Sequence, residues 1–247
     1  MRLHILGCAG WIPDENETSC FLVEHKDQLI MLDCGTGASR LKYYKDVLDR
    51  YDEVSIILSH YHLDHMVGFI YLVPYLKDKK LTIYGPGKLV YAKSTKEYFD
   101  DFLQPAFFSH SIDNLTKEVH CIDYNGEDFM IGDVHIGIVP QAHSSPSFQI
   151  KIDEELIYAT DTHFDLKHWD QKAKAKILLH ECWTVKGNDY RHSTLEKLIQ
   201  GIPQENFNQI LIIHHNPEWT KEDIAEINKM IEGTKFLLAQ DNLCIKA

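Results

Sequence analysis

No run in the 247-residue chain approaches the roughly 20 apolar residues that a membrane-crossing helix needs, so no helical span is expected. The opening Met1-Arg2-Leu3-His4-Ile5-Leu6-Gly7 reads as a strand and a turn. It lacks the apolar region and cleavage site of a signal peptide, which gives a cytoplasmic location as the expectation. The six cysteines, Cys8, Cys20, Cys34, Cys121, Cys182 and Cys244, include no C-x-x-C pair. In a reducing compartment they should be free thiols. Cys34 and Cys182 lie near the motifs below but read as buried thiols. There is no basic stripe: net charge is -12, and Lys77-Asp78-Lys79-Lys80, the single short basic cluster, reads as a helix cap and turn. Binding to long nucleic acid is therefore disfavoured. Low-complexity segments and linkers are also missing. A single domain over 1–247 follows, in two halves of about 1–118 and 119–247 around a shared core.

What the chain has is histidine in one place. His60-Tyr61-His62-Leu63-Asp64-His65 reads H-x-H-x-D-H. The apolar, β-branched run Val54-Ser55-Ile56-Ile57-Leu58-Ser59 precedes it as a buried strand, and Met66 to Val73 follows as the start of a buried helix. The cluster thus sits at the carboxyl end of a strand, where layered α/β proteins present their chemistry. His60 and His62 can point one way and Asp64 and His65 another, so one loop can serve two neighbouring metals. Imidazole and carboxylate donors suit zinc, with manganese or iron as alternatives.

The rest of the chain alternates strands and helices. Cys20 to Val23 and Leu29 to Leu32 form a hairpin leading to Asp33-Cys34-Gly35-Thr36-Gly37. Asp33 can accept a hydrogen bond from a metal-bound histidine or cap a turn. Asp14 to Ser19 reads as exposed, Ala38 to Arg50 and Lys88 to Phe102 as helices, and Gln104 to Asn114 as a lid, a substrate wall or core. Strands resume at Val119. The pattern predicts an α/β (α+β) fold, a four-layer αββα sandwich of two mixed sheets with helices outside.

Three further candidates stand at strand ends: His143, Asp161 and one of His214 or His215, with His214 preferred as the first residue past its strand. A carboxylate at Asp161 can bridge two cations. His4, His25, His110, His120, His135, His163, His168 and His180 read as structural or surface residues, with His163, two after Asp161, the least settled.

This pattern resembles the metallo-β-lactamase superfamily across nearly the whole chain. The resemblance implies that His60, His62 and His143 hold one metal, that Asp64, His65 and His214 hold the other, and that Asp161 bridges them. His62 stands where iron flavoproteins of the superfamily usually carry Glu, which implies a hydrolytic zinc site; a flavin domain would not fit in the chain. Leu179-His180-Glu181-Cys182 and Arg191-His192-Ser193-Thr194 are similar to two boxes of the ribonuclease Z branch, in which the Glu orients a His that contacts the scissile phosphate. Mapped here, Glu181 orients His192. Gly7 to Pro13 looks like that branch's first loop, but Pro13-Asp14-Glu15-Asn16-Glu17-Thr18 replaces its basic stretch for transfer RNA. The expectation is a hydrolase with two divalent metal ions that cleaves a small phosphodiester, such as a cyclic nucleotide or a nucleotide-like ester, through a metal-bound hydroxide. Asp64 would orient the hydroxide and His192 would assist the phosphate or leaving oxygen. Relatives of this kind often dimerise, so a homodimer is a further expectation. The rival readings are a carboxylic ester, thioester or lactone hydrolase on the same site, and an inactive RNA- or protein-binding module of the same fold.

Overall fold

The structure is a computed structural model that describes residues 1–167 and 169–247; His168, read above as structural or surface, lies outside the described residues. The strands in chain order are β1 Arg2–Gly7, β2 Cys20–His25, β3 Gln28–Leu32, β4 Glu53–Ile57, β5 Lys80–Pro86, β6 Glu118–Tyr124, β7 Phe129–Ile131, β8 Val134–Gln141, β9 Ser147–Ile152, β10 Leu156–Ala159, β11 Ile177–Glu181, β12 Gln209–Ile213, β13 Phe236–Leu238 and β14 Cys244–Lys246. They make two seven-stranded sheets, ordered β14-β1-β2-β3-β4-β5-β6 and β13-β12-β11-β10-β9-β8-β7. Each sheet mixes an antiparallel part with a parallel part: β3 to β6 in the first, β10 to β13 in the second.

Three apolar clusters fill the spaces between layers. Leu3, Ile5, Phe21, Val23, Ile30 and Leu32 meet Ile136, Ile150, Ile152, Tyr158, Leu179 and Leu211 between the sheets. The alternate residues of the first sheet, among them Leu22, Met31, Val54, Ile56 and Ile83, pack outward onto Leu41, Phe69, Leu76 and Phe99. On the far side, Leu178, Ile210 and Ile212 pack onto Leu195, Leu198, Ile227 and Ile231. Strands buried on both faces explain the unbroken apolar runs at Ile56-Ile57-Leu58 and Ile210 to Ile213. The architecture is the expected four-layer sandwich.

The differences from the sequence reading are local. Strand β6, assigned above to the second half, pairs in parallel with β5 along Lys80↔Glu118 to Pro86↔Tyr124, and β14 also returns to the first sheet. Chain order is a poor guide to sheet membership when a closing strand comes from the far end. The helix read over Ala38 to Arg50 is a 3-10 turn at Thr36–Tyr43 followed by α1, Lys45–Leu48. The helix after the metal-type loop is likewise α2 Leu63–Met66, a 3-10 segment Val67–Tyr71 and α3 Val73–Leu76. The helix read over Lys88 to Phe102 breaks into α4 Lys88–Tyr91 and α5 Thr95–Phe102. Ala92 turns left-handed there (φ 64°), and Ser94 restarts the helix with a capping box to Glu97. Helices α6, Leu195–Gly201, and α7, Lys221–Ile231, cover the second sheet. Thr18 and Ser19, read as exposed, are buried, because Thr18 exchanges hydrogen bonds with Thr36. Lys79 does cap a helix: its Nζ donates to the Leu48 and Tyr51 carbonyls past α1, at 2.7 and 2.6 Å. No described helix is long and apolar enough to cross a membrane.

Candidate functional site

Parallel strands bring distant residues to one edge. Asp33 follows β3 and Ser59-His60 follow its parallel neighbour β4, so both loops leave the same end of the first sheet. In the second sheet Asp161 follows β10, Glu181 ends β11 and His214 follows β12, three parallel neighbours. Strand β8 runs in the direction of β10, both being antiparallel to β9, and delivers His143 to the same edge. The loop over Gly7 to Pro13 is laced across this edge: Gly10 N donates to the His215 carbonyl and His215 N to the Cys8 carbonyl, at 2.9 and 3.1 Å. A side chain at Gly10 would lie 2.4 Å from His214 Nδ1, so the approach of loop to imidazole requires glycine.

All seven residues picked out as ligands converge. Their donor atoms form two groups, His60, His62, His143 and Asp161, and Asp64, His65 and His214, each within 4.8 Å. Asp161 faces both. Its Oδ1 is 3.3 Å from His143 Nε2, and its Oδ2 is 2.9 Å from His65 Nε2 and 3.0 Å from His214 Nε2. His65 Nε2 and His214 Nε2 are 3.3 Å apart. His215 turns away and donates to the Ile212 carbonyl at 2.9 Å. Asp161 and His214 hold left-handed backbones (φ 46° and 52°), strain of a kind that accumulates at functional sites.

The carboxylates and imidazoles of the cluster shift one another's protonation strongly. Burial alone would raise Asp64 and Asp161, yet the imidazoles around them pull both well below the usual carboxylate range. Burial alone would lower His214, but Asp161 and Asp64 push it up to about 10. Burial keeps His60 well below its ordinary value, hence neutral. Its Nε2 is buried with no hydrogen-bond partner, which is costly for an idle acceptor and natural for a ligand. The nitrogen and oxygen donor set therefore fits divalent metals. His62 Nε2 lies 2.9 Å from the Ser145 hydroxyl, which such an ion would displace.

A cavity of about 510 Å³ opens over the cluster, lined by Trp11, Trp183, the 188–192 segment and five of the ligand candidates, His62, Asp64, His143, Asp161 and His214. His192 edges it. Its Nδ1–H donates to Glu181 Oε1 at 3.1 Å, and its ring stacks on Trp183 with centroids 4.9 Å apart. Glu181 Oε1 also accepts from the backbone N–H groups of Thr162 and Ser193, at 2.9 and 3.3 Å. Burial raises Glu181; burial would lower His192, but the hydrogen bond to Glu181 raises it. Asp189 Oδ1 accepts from Arg191 N and His192 N and shapes the segment that presents His192. His163 Nδ1–H donates to the His192 carbonyl at 3.3 Å, so it supports that segment from behind. No residue of 104–114 lines the cavity, and Cys34 and Cys182 are buried free thiols away from it. Sequence reading missed Trp183, Trp11, Ser145 and the 188–191 segment. Local signals existed for three of them: Trp11 and Arg191 stand inside the quoted motifs, and Trp183 is two residues past Glu181.

The ribonuclease Z of Clostridium acetobutylicum is 27% identical to this chain over 192 residues, covering 72% of it and 59% of that protein. The ribonuclease Z of Methanosarcina mazei is 28% identical over 160 residues, covering 62% and 48%. The chain thus spans about half the length of these curated relatives. The metallo-β-lactamase fold protein YhfI from Bacillus subtilis shares the fold, with a TM-score of 0.76 and 19% identity over 99% of this chain and 98% of that one. Residues 1–236 match the family described as Anti-Pycsar protein Apyc1, and with nearly its whole length inside that match the chain belongs to this family.

Proposed function

We propose that the protein is a phosphodiesterase that uses two divalent cations, zinc by the donor set, on a small phosphodiester such as a cyclic nucleotide or a nucleotide-like ester. The observation that carries this is the Glu181–His192 pair beside the ligand cluster, with 3.1 Å between Glu181 Oε1 and His192 Nδ1. Acyl transfer at such a centre needs no such group, whereas a charged phosphoryl group does profit from one. His60, His62 and His143 would hold one cation and Asp64, His65 and His214 the other, with Asp161 between them. When bound, the cations would supply Lewis acidity toward the phosphoryl oxygens and the attacking water.

The chain's own residues do the rest. Asp64 Oδ2 is held by the Trp11 N–H at 2.8 Å, which fixes the carboxylate for orienting the water. Glu181 keeps a proton on His192 Nδ1 and favours the imidazolium, which can donate from Nε2 to a phosphoryl or leaving oxygen. Trp183 fixes the plane of that ring. Arg191 is the one lysine or arginine lining the cavity of a chain with net charge -12, and this favours a small anion over a long polyanion. The relatives named ribonuclease Z make RNA the competing substrate.

The deciding experiment is turnover of bis-p-nitrophenyl phosphate and of cyclic nucleotides by zinc- or manganese-loaded protein, beside an RNA oligonucleotide and a set of lactones and thioesters. The expected result is phosphodiester cleavage that falls on the order of 100-fold or more in His192→Ala. Preference for RNA would overturn the small-substrate part. Cleavage of lactones or thioesters that ignores the substitution would replace the phosphodiester reading.

A further inference from the structure

We infer that Asp241, in the turn between β13 and β14, is a positioning residue for Asp64: it clamps both ends of the loop over residues 8–17 and so keeps the Trp11 N–H on the Asp64 carboxylate. The inference rests on the reading above, in which Asp64 orients the attacking water, and names what holds that carboxylate in place.

Nothing in Trp11 itself anchors it at the site. Its side chain is 60% exposed, and Ile12 beside it is 47% exposed, so burial does not fix this stretch. Its backbone is left-handed (φ 60°), which is sterically unfavourable for a bulky residue. Its N–H nevertheless donates to Asp64 Oδ2 at 2.8 Å. The position comes from the anchors of the loop.

One anchor is backbone, the Gly10 N–H on the His215 carbonyl at 2.9 Å. The other is Asp241, whose side chain is 4% exposed. Its Oδ1 accepts from the Cys8 N–H at 3.1 Å and from the Cys8 thiol at 3.4 Å. Its Oδ2 accepts from the Glu17 N–H at 2.7 Å and pairs with Arg40 Nη2 at 3.0 Å. One carboxylate therefore holds the loop where it leaves β1 and where it returns toward β2. Across the neck, the Ala9 N–H donates to the Glu17 carbonyl at 2.9 Å, and Asn16 Oδ1 accepts from the Asp241 N–H at 3.1 Å. The pairing of β14 with β1 brings Asp241 to this point. The closing strand of the first sheet thus reaches the site through the loop.

Asparagine cannot take this place. Both carboxylate oxygens face donors, so an amide turned either way directs its NH2 at donors. Asp241→Asn should release one end of the loop. Asp64 then keeps its charge and loses its fixed orientation. That lowers kcat rather than raising KM, because the water and not the substrate is misplaced.

The test is residue-resolved amide hydrogen exchange by NMR on the full chain, beside kcat and KM on bis-p-nitrophenyl phosphate. In Asp241→Asn the Trp11 amide should exchange about 10-fold faster than in wild type, and kcat should fall about 10-fold at unchanged KM. Thr220→Ala, which loosens α7 outside the site, should leave both at wild-type values. If Asp241→Asn fails to fold, Asn16→Ala decides, with a change of about 3-fold in the same direction expected in both readouts. Wild-type exchange at Trp11 in the folded variant overturns the inference, as does faster exchange with kcat unchanged. An equal change in Thr220→Ala also overturns it, by marking the effect as one of global stability. The exchange readout needs neither metal nor substrate. A protein that cleaves no phosphodiester would therefore sink the functional reading, while the Trp11 amide still decides whether Asp241 clamps the loop.

Discussion

Glu181 and His192 show how much a single buried contact controls. Glu181 is fully buried and three donors share its Oε1, so its charge is spent on holding one segment and one imidazole in place. It also raises the pKa of His192. If the imidazolium is the working form, activity is lost as pH rises through that value. Glu181→Gln keeps the shape but removes the charge, so His192 should titrate lower and the alkaline limb of the kcat profile should move to lower pH. A limb that stays in place while kcat merely drops would assign it to another group. His180, next along the chain, is a different case. Its Nδ1–H donates to the Glu181 carbonyl at 2.8 Å, its Nε2 has no partner, and its neighbours are Phe164 and Trp169. It is a core histidine, the structural one of the two readings, structural or surface, given above.

At the scale of elements, the site edge is made by short connections from strands, while the helices outside are short, and two of them, α5 and α7, carry side-chain caps. Helix α7 spans eleven residues and buries Ile227 and Ile231 against the second sheet. Thr220 caps it, exchanging bonds with Asp223 in a capping box. Ser94 does the same for α5, where Phe99 is the buried anchor. Thr220→Ala and Ser94→Ala should each cost about 1 kcal/mol, read as a lower urea midpoint with an unchanged slope. Neither residue lines the cavity, so metal uptake should be unaffected. A loss above about 3 kcal/mol would mean that these helices organise the strand edge rather than only covering the sheet.

For the whole molecule, buried histidines and metal uptake make opposite demands on protons. Burial pushes His180 down to about 4, from an ordinary value near 6.5. The unfolded chain therefore binds the extra proton first. The stability held by neutral His180 is fully present above about pH 6.5 and is lost as pH falls toward 4, by up to about 3 kcal/mol. Urea unfolding at pH 7 and pH 5 should show the fall, and His180→Asn should reduce it, leaving the share of His215, which burial also pushes down to about 4. Metal uptake should instead expel protons from the cluster, since His214 is pushed up to about 10 without a metal. Calorimetric zinc titrations in buffers of different ionisation heat should show net proton release and an affinity that rises with pH. Zinc should also raise the melting temperature in a concentration-dependent way, and a chelator should reverse it.

The sequence by itself determined the elements that local chemistry fixes. Doubly buried strands announced themselves as unbroken apolar runs, and His143, Asp161 and His214 stood one or two residues past the ends of their strands. H-x-H-x-D-H needed no partner to be legible, because four polar donors between a strand and a helix have no packing role that competes. His214 could be preferred to His215 on position alone, and the structure places His214 in the cluster while His215 donates to its own strand. Tertiary structure decided what depends on pairing across distance. That β6 and β14 close the first sheet is set by which edge is free, not by their composition. The breaks at Tyr44 and Ala92 are backbone departures that apolar spacing does not mark, so spacing alone reads as one continuous helix. Trp183 stacking on His192, and Ser59 and Tyr158 meeting on Asp33, join segments up to 125 residues apart. A serine or a tyrosine carries no mark of such a role until the fold brings its hydroxyl to a buried carboxylate.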